Sequence, residues 1–220
     1  MGIPFHTLIC ASNTNNVLTD FFTTGKYDLR GRHLEMSISP SIDILKSSNL
    51  ERFLYHVTKD GALVSKLFQQ LATEKYFEIS EDLRQKMATY IEPGWASEAE
   101  CKTTIKTCFD QNHYLLDPHT AVGLNVALKR PPSARKLLLS STAHYSKFGK
   151  DVLLALGLKP ISDSPCELFK QLEGLKIQPV MNESLKNAMG KHEIQNGVCS
   201  NDLNAVKEKI EIFLKELKSS

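Results

Sequence analysis

Two polar clusters in the sequence carry side chains that are suited to binding a small molecule. Residues 12–16 and 140–144 each follow a short apolar run, a pattern typical of a buried parallel strand that ends in a loop. Open α/β sheets bind ligands at the carboxyl ends of such strands. The amides of Asn13, Asn15 and Asn16 offer neutral donors and acceptors, which suit an anionic ligand. The alternative for an asparagine at a strand-to-helix turn is a helix cap, and we expect this for at least one of the three.

Two histidines, a lysine and a threonine are further candidates. His119 and His144 each stand beside an apolar segment, where a histidine is either a site residue or a structural hydrogen-bonding group. Lys147, close to a predicted helix start, either binds a phosphate group or lies on the solvated surface. Thr120 follows Asp117, a predicted N-cap residue, so spacing alone indicates that its hydroxyl bonds to the backbone of the first helical turn.

Composition and generic motifs exclude several classes of function. The sequence has no glycine-rich phosphate loop, no G-x-S-x-G elbow and no H-E-x-x-H zinc motif. Its five cysteines lack metal-binding spacing, so we expect reduced thiols, no metal site and an intracellular protein of the cytoplasm or mitochondrion. A formal charge of +2 on 220 residues and the lack of a long apolar stretch predict neither a nucleic-acid nor a membrane partner.

The elements that must position these residues follow from apolar periodicity and from local start and stop signals. The S-x-x-E pattern at Ser48 and at Ser97 predicts a helix with a capping box at each place. Because only six residues precede the first predicted strand, we expect the partner that this strand needs to lie outside this sequence rather than later in it. The other predicted elements are strands at 7–11, 135–140 and 176–181, and helices at 17–24, 63–71, 118–128, 147–156 and 203–217.

Five segments, in order along the chain, resemble motifs of one enzyme family. Residues 11–18 read A-S-N-T-N-N-V-L against A-T-N-x-N-D-[VIL], and residues 39–44 read S-P-S-I-D-I against S-P-S-M-D-I. Residues 48–52 read S-N-L-E-R against S-N-F-E-R, residues 117–123 read D-P-H-T-A-V-G, and residues 141–148 read S-T-A-H-Y-S-K-F against S-T-A-H-P-A-K-F. Together they resemble the threonine synthase family of fold-type II pyridoxal-phosphate enzymes, in particular its vertebrate threonine synthase-like branch.

The resemblance implies an α/β fold, namely the C-terminal part of a fold-type II (tryptophan synthase β-like) enzyme with a helix-rich segment. Residues 1–45 would end a central α/β segment, and residues 46–115 would be mainly helical. Residues 116–220 would form a C-terminal α/β segment that closes the cofactor site. Asp43 and Arg52, which lie in matched motifs, would be a charge pair or loop anchors.

The resemblance also implies roles for the candidate residues. The Thr120 hydroxyl would bind the pyridine nitrogen of pyridoxal phosphate and, as a neutral partner, would leave that nitrogen largely unprotonated. Asn16 replaces the aspartate of the family motif, so it cannot supply that charge. The remaining candidates for contacts with substrate or cofactor are Asn13, Asn15, Asn16, His119, His144 and Lys147.

The family reaction removes phosphate from O-phosphohomoserine and gives threonine, and threonine synthase-like relatives resemble phospho-lyases. We therefore expect a pyridoxal-phosphate-dependent carbon–oxygen lyase for a small phosphorylated hydroxy-amino acid, working as a monomer or a homo-oligomer. The Schiff-base lysine and phosphate loop of the family lie N-terminal to the matched segments and have no counterpart here, so we expect this chain alone to be inactive. The alternative is an inactive fragment or pseudo-enzyme that acts as a protein-binding module.

Overall fold

The computed structural model describes most of the chain as a mixed α/β, helix-rich fold. The backbone divides into two compact units, Met1–Val180 and Met181–Ser220. None of the described helices is both long and apolar enough to cross a membrane. The described residues are 5–131, 136–181, 183–192 and 197–218.

The first unit begins with four strands interspersed with helices and continues with helices after the last strand, and the second unit contains only helices among its described residues. The strands are β1 (Leu8–Ser12), β2 (Lys26–Asp28), β3 (Tyr76–Glu78) and β4 (Ile91–Trp95). The helices of the first unit are α1 (Val17–Thr24), α2 (Asn49–Thr58), α3 (Gly61–Glu74), α4 (Glu81–Ala88), α5 (Glu98–Asn112), α6 (Pro118–Leu128), α7 (Gly149–Ala155) and α8 (Pro165–Glu173). Those of the second unit are α9 (Glu183–Met189) and α10 (Leu203–Lys218). Short 3-10 helices span Pro40–Ile42 and Tyr145–Phe148.

Strand β1 pairs in parallel with β4, from Leu8 opposite Ile91 to Ser12 opposite Trp95. The expectation that the partner of this strand lies outside the sequence was therefore wrong for this edge, because β4 arrives from later in the chain. Strands β2 and β3 form a separate antiparallel pair. The polar cluster after β1 thus begins next to the carboxyl end of β4, beside which α5 starts.

Helix α6 packs directly on the parallel pair. A Cβ atom at Gly94, in β4, would overlap the side chain of Val126 in α6, so glycine is what allows the helix to approach the strand this closely. Helix α1 is attached to the same strand, because the Thr19 hydroxyl donates to the Gly94 carbonyl at 2.9 Å. The parallel pair therefore fixes both the cluster that follows β1 and the helix that carries Thr120.

An aromatic core lies under helices α1 to α4. The rings of Phe21, Tyr27 and Phe77 are fully buried, and Tyr27 stacks on Phe77 with 5.3 Å between ring centroids. The Tyr27 hydroxyl leaves this core to donate to the Leu45 carbonyl at 2.6 Å, and it accepts from the Ser47 amide at 2.9 Å. The segment that follows the S-P-S-I-D-I motif is thereby tied to the core.

Several predictions that rested on local signals are confirmed. Helix α1 spans the predicted residues and ends at Gly25, whose φ of 78° lies in the left-handed region that favours glycine. The capping box at Ser97 is present, with the Ser97 amide 2.8 Å from Glu100 Oε2 and the Glu100 amide 3.2 Å from Ser97 Oγ. Asp117 caps α6, which runs over the predicted residues, and α10 is the predicted C-terminal helix.

Three local predictions were wrong, and a fourth was correct only in part. Ser48 has helical backbone angles (φ −69°, ψ −25°), so it does not adopt the extended conformation of a capping-box serine, although α2 does begin beside it. Residues 136–140, the described part of the strand predicted at 135–140, are irregular, and Leu138 is 78% exposed. Residues 176–181 form only a single bridge, from Gln178 to Tyr114, because Pro179 has no N–H to continue a ladder. The helix predicted at 147–156 begins as a 3-10 turn and becomes α7 at Gly149.

Candidate functional site

The asparagines that follow β1 are buried and bind the loop that carries the S-P-S-I-D-I motif. Asn13 Nδ2 lies 2.9 Å from Ser37 Oγ, 3.0 Å from Ser39 Oγ and 2.6 Å from Asp43 Oδ1. Asn15 Nδ2 donates to Asp43 Oδ1 at 3.0 Å and to the Glu35 carbonyl at 2.8 Å. Both amides therefore attach this loop to the end of the strand, and contact with a substrate stays a prediction for each.

Asp43 is the acceptor at the centre of this network. Besides the two asparagines, it accepts from the Ser37 amide at 2.8 Å and from the Ser37 hydroxyl at 2.7 Å. Of the two roles considered for it, the contacts support the loop anchor. Arg52 instead donates to Asn49 in its own helix.

Asn16 stands apart from its two neighbours. It precedes α1, but its side-chain oxygen accepts from Arg32 Nη1 at 3.1 Å instead of capping the helix. Arg32 also pairs with Asp20, in the first turn of α1. The side chain of Asn13 accepts from the amide of Asn15 at 3.0 Å, which is a local turn and not a helix cap. The prediction that one of these asparagines caps the following helix is therefore wrong for α1.

The first turn of α6 holds a buried polar group built on Asp117. Its Oδ1 accepts from the backbone amides of His119 (2.9 Å) and Thr120 (3.2 Å), as an N-cap carboxylate should. Its Oδ2 accepts from the Thr120 hydroxyl. The side chains of Asp117 and His119 are only 1% and 5% exposed, so these contacts are shielded from water. The Thr120 hydroxyl thus bonds to a capping carboxylate, a partner that spacing had not identified.

His119 joins the first turn of α6 to the S-P-S-I-D-I loop. Its Nδ1 lies 3.2 Å from Asp117 Oδ1, and its Nε2 accepts from the Ser41 amide at 3.0 Å. The ring also packs on Phe148, with 4.9 Å between ring centroids. The structure therefore places His119 as a buried hydrogen-bonding group, and it brings three of the five motifs together around this one side chain.

Thr120 also lies next to the S-T-A-H motif. Its hydroxyl oxygen is 3.3 Å from Ser141 Oγ, and Thr120 is buried whereas Ser141 is exposed. The Thr120 proton is donated to Asp117, and the Ser141 hydroxyl donates to the Ala143 carbonyl at 3.5 Å. Ser141, although it lies within a matched motif, was not among the candidates, since serine in a polar loop carries no individual signal.

His144 lies at the edge of the same region. Its Nδ1 accepts from the Ser146 amide at 3.3 Å, and its Nε2 is buried without a hydrogen-bond partner in the described part of the chain. Burial lowers the pKa of His144, because it disfavours the charged ring, and the Asp117 carboxylate opposes this effect. His144 lines a shallow cleft together with Asp117 and Ser141. The structure thus brings it to the candidate site.

Lys147 is exposed, and its backbone amide donates to the His144 carbonyl at 3.1 Å. Its Nζ is 6.0 Å from the centroid of the neighbouring Phe148 ring. Binding of a substrate phosphate stays a prediction for this residue. Among the described residues, no group of three His, Cys, Asp or Glu side chains is placed to hold a metal ion.

The residues present fit one edge of pyridoxal phosphate. The hydroxyls of the buried Thr120 and the exposed Ser141 lie 3.3 Å apart, and a hydroxyl is a neutral donor from which an unprotonated pyridine nitrogen can accept. Within the described residues, no lysine lines the cleft at Asp117, Ser141 and His144 or the cleft at Asn13 and Ser39. The fit is therefore to the ring-nitrogen edge.

Comparison with known proteins gives a consistent result. No family model matches the sequence. The chain is 42% identical over 213 residues to "Threonine synthase-like 1" of Homo sapiens, an alignment that covers 96% of this chain and 29% of that protein. It is 36% identical over 183 residues to the threonine synthase of Methylobacillus glycogenes, covering 81% of this chain and 37% of the relative. The chain thus spans about three-tenths of the length of its threonine synthase-like 1 relatives.

A solved structure of yeast threonine synthase is similar over 98% of this chain and 43% of the yeast chain, with a TM-score of 0.81 and 29% identity. A pyridoxal-phosphate-bound threonine synthase from Brucella melitensis is similar over 77% of this chain and 37% of its own, with a TM-score of 0.69 and 34% identity. Sequence and fold agree with the five motifs. The chain therefore belongs to the threonine synthase family of pyridoxal-phosphate-dependent, fold-type II enzymes and corresponds to their C-terminal portion.

Proposed function

We propose that this chain contributes the ring-nitrogen edge of a pyridoxal-phosphate site in a carbon–oxygen lyase. The proposed substrate is O-phosphohomoserine or a similar small phosphorylated hydroxy-amino acid. The observation that carries the proposal is the buried Thr120 hydroxyl, held by Asp117 and placed 3.3 Å from Ser141 Oγ, in a chain whose relatives are threonine synthases. When bound, the cofactor supplies the electron sink for elimination.

Thr120 would act as a neutral partner of the ring nitrogen. An unprotonated ring nitrogen can only accept a hydrogen bond, so the Thr120 hydroxyl, which donates to Asp117 in this structure, would turn its O–H from Asp117 to the nitrogen when the cofactor is bound. A hydroxyl pair supports an unprotonated nitrogen, whereas a carboxylate in the same place would favour a protonated one. Asp117 does not take that role, because it already accepts from four donors in the first turn of α6, three at Oδ1 and one at Oδ2.

The first test is cofactor retention by the purified 220-residue chain and by the longest natural product that contains it. Pyridoxal phosphate is added, unbound cofactor is dialysed away, and the remaining visible absorbance is compared between wild type, Thr120→Ser and Thr120→Val. We expect the serine variant to retain the cofactor and the valine variant, which lacks the hydroxyl, to retain about tenfold less, since one hydrogen bond is lost at a shielded site. Thr103→Val, on the exposed face of α5, is the matched control.

Phosphate release from O-phosphohomoserine, measured with the longest natural protein that contains this chain, tests the substrate class. Release that falls in Thr120→Val and not in Thr103→Val supports the proposal. Retention of cofactor that is equal in wild type and Thr120→Val contradicts it.

A protein-binding module is the second candidate. It is supported by the lack of a lysine along either cleft within the described residues, since this chemistry requires one. The same experiment separates the two. If the longest natural product retains no cofactor and releases no phosphate, the module is favoured and the lyase is excluded.

A further inference from the structure

His119 is buried between two motifs that lie nearly eighty residues apart in the sequence. Its Nδ1 is 3.2 Å from Asp117 Oδ1, and its Nε2 is 3.0 Å from the Ser41 amide nitrogen. A carboxylate can only accept, so Nδ1 carries the hydrogen. A backbone N–H can only donate, so Nε2 must be unprotonated. The two partners therefore select one neutral tautomer of the ring.

Ser41 lies in the middle of the loop that the asparagines hold. It belongs to the 3-10 helix Pro40–Ile42, which stands between Ser39, bound by Asn13, and Asp43, bound by Asn13 and Asn15. The loop is thus attached on one side to the end of β1 and on the other side to the first turn of α6. The second attachment is made by the side chain of His119.

We propose that His119 is a positioning residue, whose neutral Nδ1–H tautomer locks the 39–43 loop to Asp117 and so fixes the carboxylate that orients the Thr120 hydroxyl. The effect on cofactor binding rests on the proposed function. The attachment of the 39–43 loop by His119 does not. His119 acts through Asp117 and Ser41 and has no contact with the reacting atoms in this account.

Two conservative substitutions test the two hydrogen bonds of His119 separately, one with Asp117 and one with Ser41. His119→Asn keeps an amide donor near the position of Nδ1 and loses the acceptor for Ser41. His119→Gln places an amide oxygen near the position of Nε2 and keeps that acceptor. Both variants lose the packing of the aromatic ring on Phe148, and they differ in which hydrogen bond they keep.

The readout is hydrogen exchange of the Ser41 amide in the 220-residue chain, measured by NMR without cofactor. We expect exchange to be about fivefold faster in His119→Asn than in wild type, as loss of one net hydrogen bond implies, and close to wild type in His119→Gln. The Leu63 amide, which donates to Asp60 Oδ1 at 2.9 Å in another helix, is the internal control and should not change. If the Leu63 amide also exchanges faster in one variant, that variant is globally destabilised and the comparison is made on the ratio of the two amides.

Equal Ser41 exchange in His119→Asn and His119→Gln, relative to Leu63, overturns the proposal. A second readout links the lock to the cofactor in the longest natural product. There, His119→Gln should retain the cofactor more weakly than wild type, because Asp117 loses a donor. If His119 had only a structural role, His119→Asn and His119→Gln would retain the cofactor equally. Suppose that Ser41 amide exchange changes as expected but that no variant, including Thr120→Val, changes cofactor retention. The attachment of the loop by His119 is then supported, and the proposed function is contradicted.

Discussion

Replacing Asp43 by alanine removes the acceptor from four donors at once. Two of them belong to the buried asparagines Asn13 and Asn15, and two belong to Ser37. The asparagine amides each keep another acceptor, namely the serine hydroxyls for Asn13 and the Glu35 carbonyl for Asn15. The loss is therefore less than four full hydrogen bonds, and we expect the free energy of unfolding to fall by about 2–3 kcal/mol.

Asp43→Asn refines this expectation. Its amide oxygen can replace Oδ1 as the acceptor for Asn13, Asn15 and the Ser37 hydroxyl, but its NH₂ group cannot replace Oδ2 as the acceptor for the Ser37 amide. We expect this variant to lose only about 1 kcal/mol. The asparagine substitution therefore distinguishes loss of the network from loss of a single bond.

The assay is urea unfolding of the chain, followed by the fluorescence of Trp95, the only tryptophan, at the end of β4. The control is Asp110→Asn, which removes an exposed ion pair with Lys106 and should change stability by less than about 0.5 kcal/mol. A loss below about 0.5 kcal/mol in Asp43→Ala, or equal losses in Asp43→Asn and Asp43→Ala, would refute the assignment of Asp43 as the loop anchor.

Three further predictions concern the scaffold. Gly94→Ala pushes a methyl group into a valine of α6 and should lower the free energy of unfolding by about 1–3 kcal/mol, measured in urea; an unchanged midpoint would contradict the close approach. Burial raises the pKa of the Cys101 thiol to about 12, so this thiol should react slowly with iodoacetamide at pH 8. Mass spectrometry of the native chain should find the exposed Cys199 modified and Cys101 protected, and equal rates of modification would disprove this. The hydrogen bond from Lys129 holds the pKa of Glu100 at about 2, so its contribution is present above its unfolded pKa of about 4.3 and is lost as the pH falls towards 2. Thermal unfolding of Glu100→Gln should therefore differ from wild type at pH 6 and converge with it near pH 2, and a constant difference would contradict the linkage.

The helices that position the site could be predicted because their signals are local. Gly25 ends α1, the Ser97 capping box starts α5, and Asp117 followed by proline starts α6. Each of these signals acts on backbone groups within four residues, so no knowledge of the tertiary structure is needed.

The strands and the site contacts could not be predicted in the same way. The apolar run that includes Leu138 resembles a buried strand, but strand formation depends on a partner, and residues 136–140 have none within the described structure. The partnership of β1 with β4 joins segments about eighty residues apart. The same holds for Asp43 and His119, whose motifs were recognised but whose contacts with Asn13, Asn15 and Ser41 are set by the fold.

The claim that Thr120 is the neutral partner of the cofactor ring nitrogen is tested most directly by ¹⁵N NMR. Pyridoxal phosphate labelled at the ring nitrogen is bound to the longest natural product that contains this chain, in wild type and in Thr120→Asp. We expect the chemical shift of an unprotonated nitrogen in wild type and a shift towards the protonated value in Thr120→Asp, because the carboxylate stabilises the pyridinium. A protonated nitrogen in wild type, or the same chemical shift in both proteins, would contradict it.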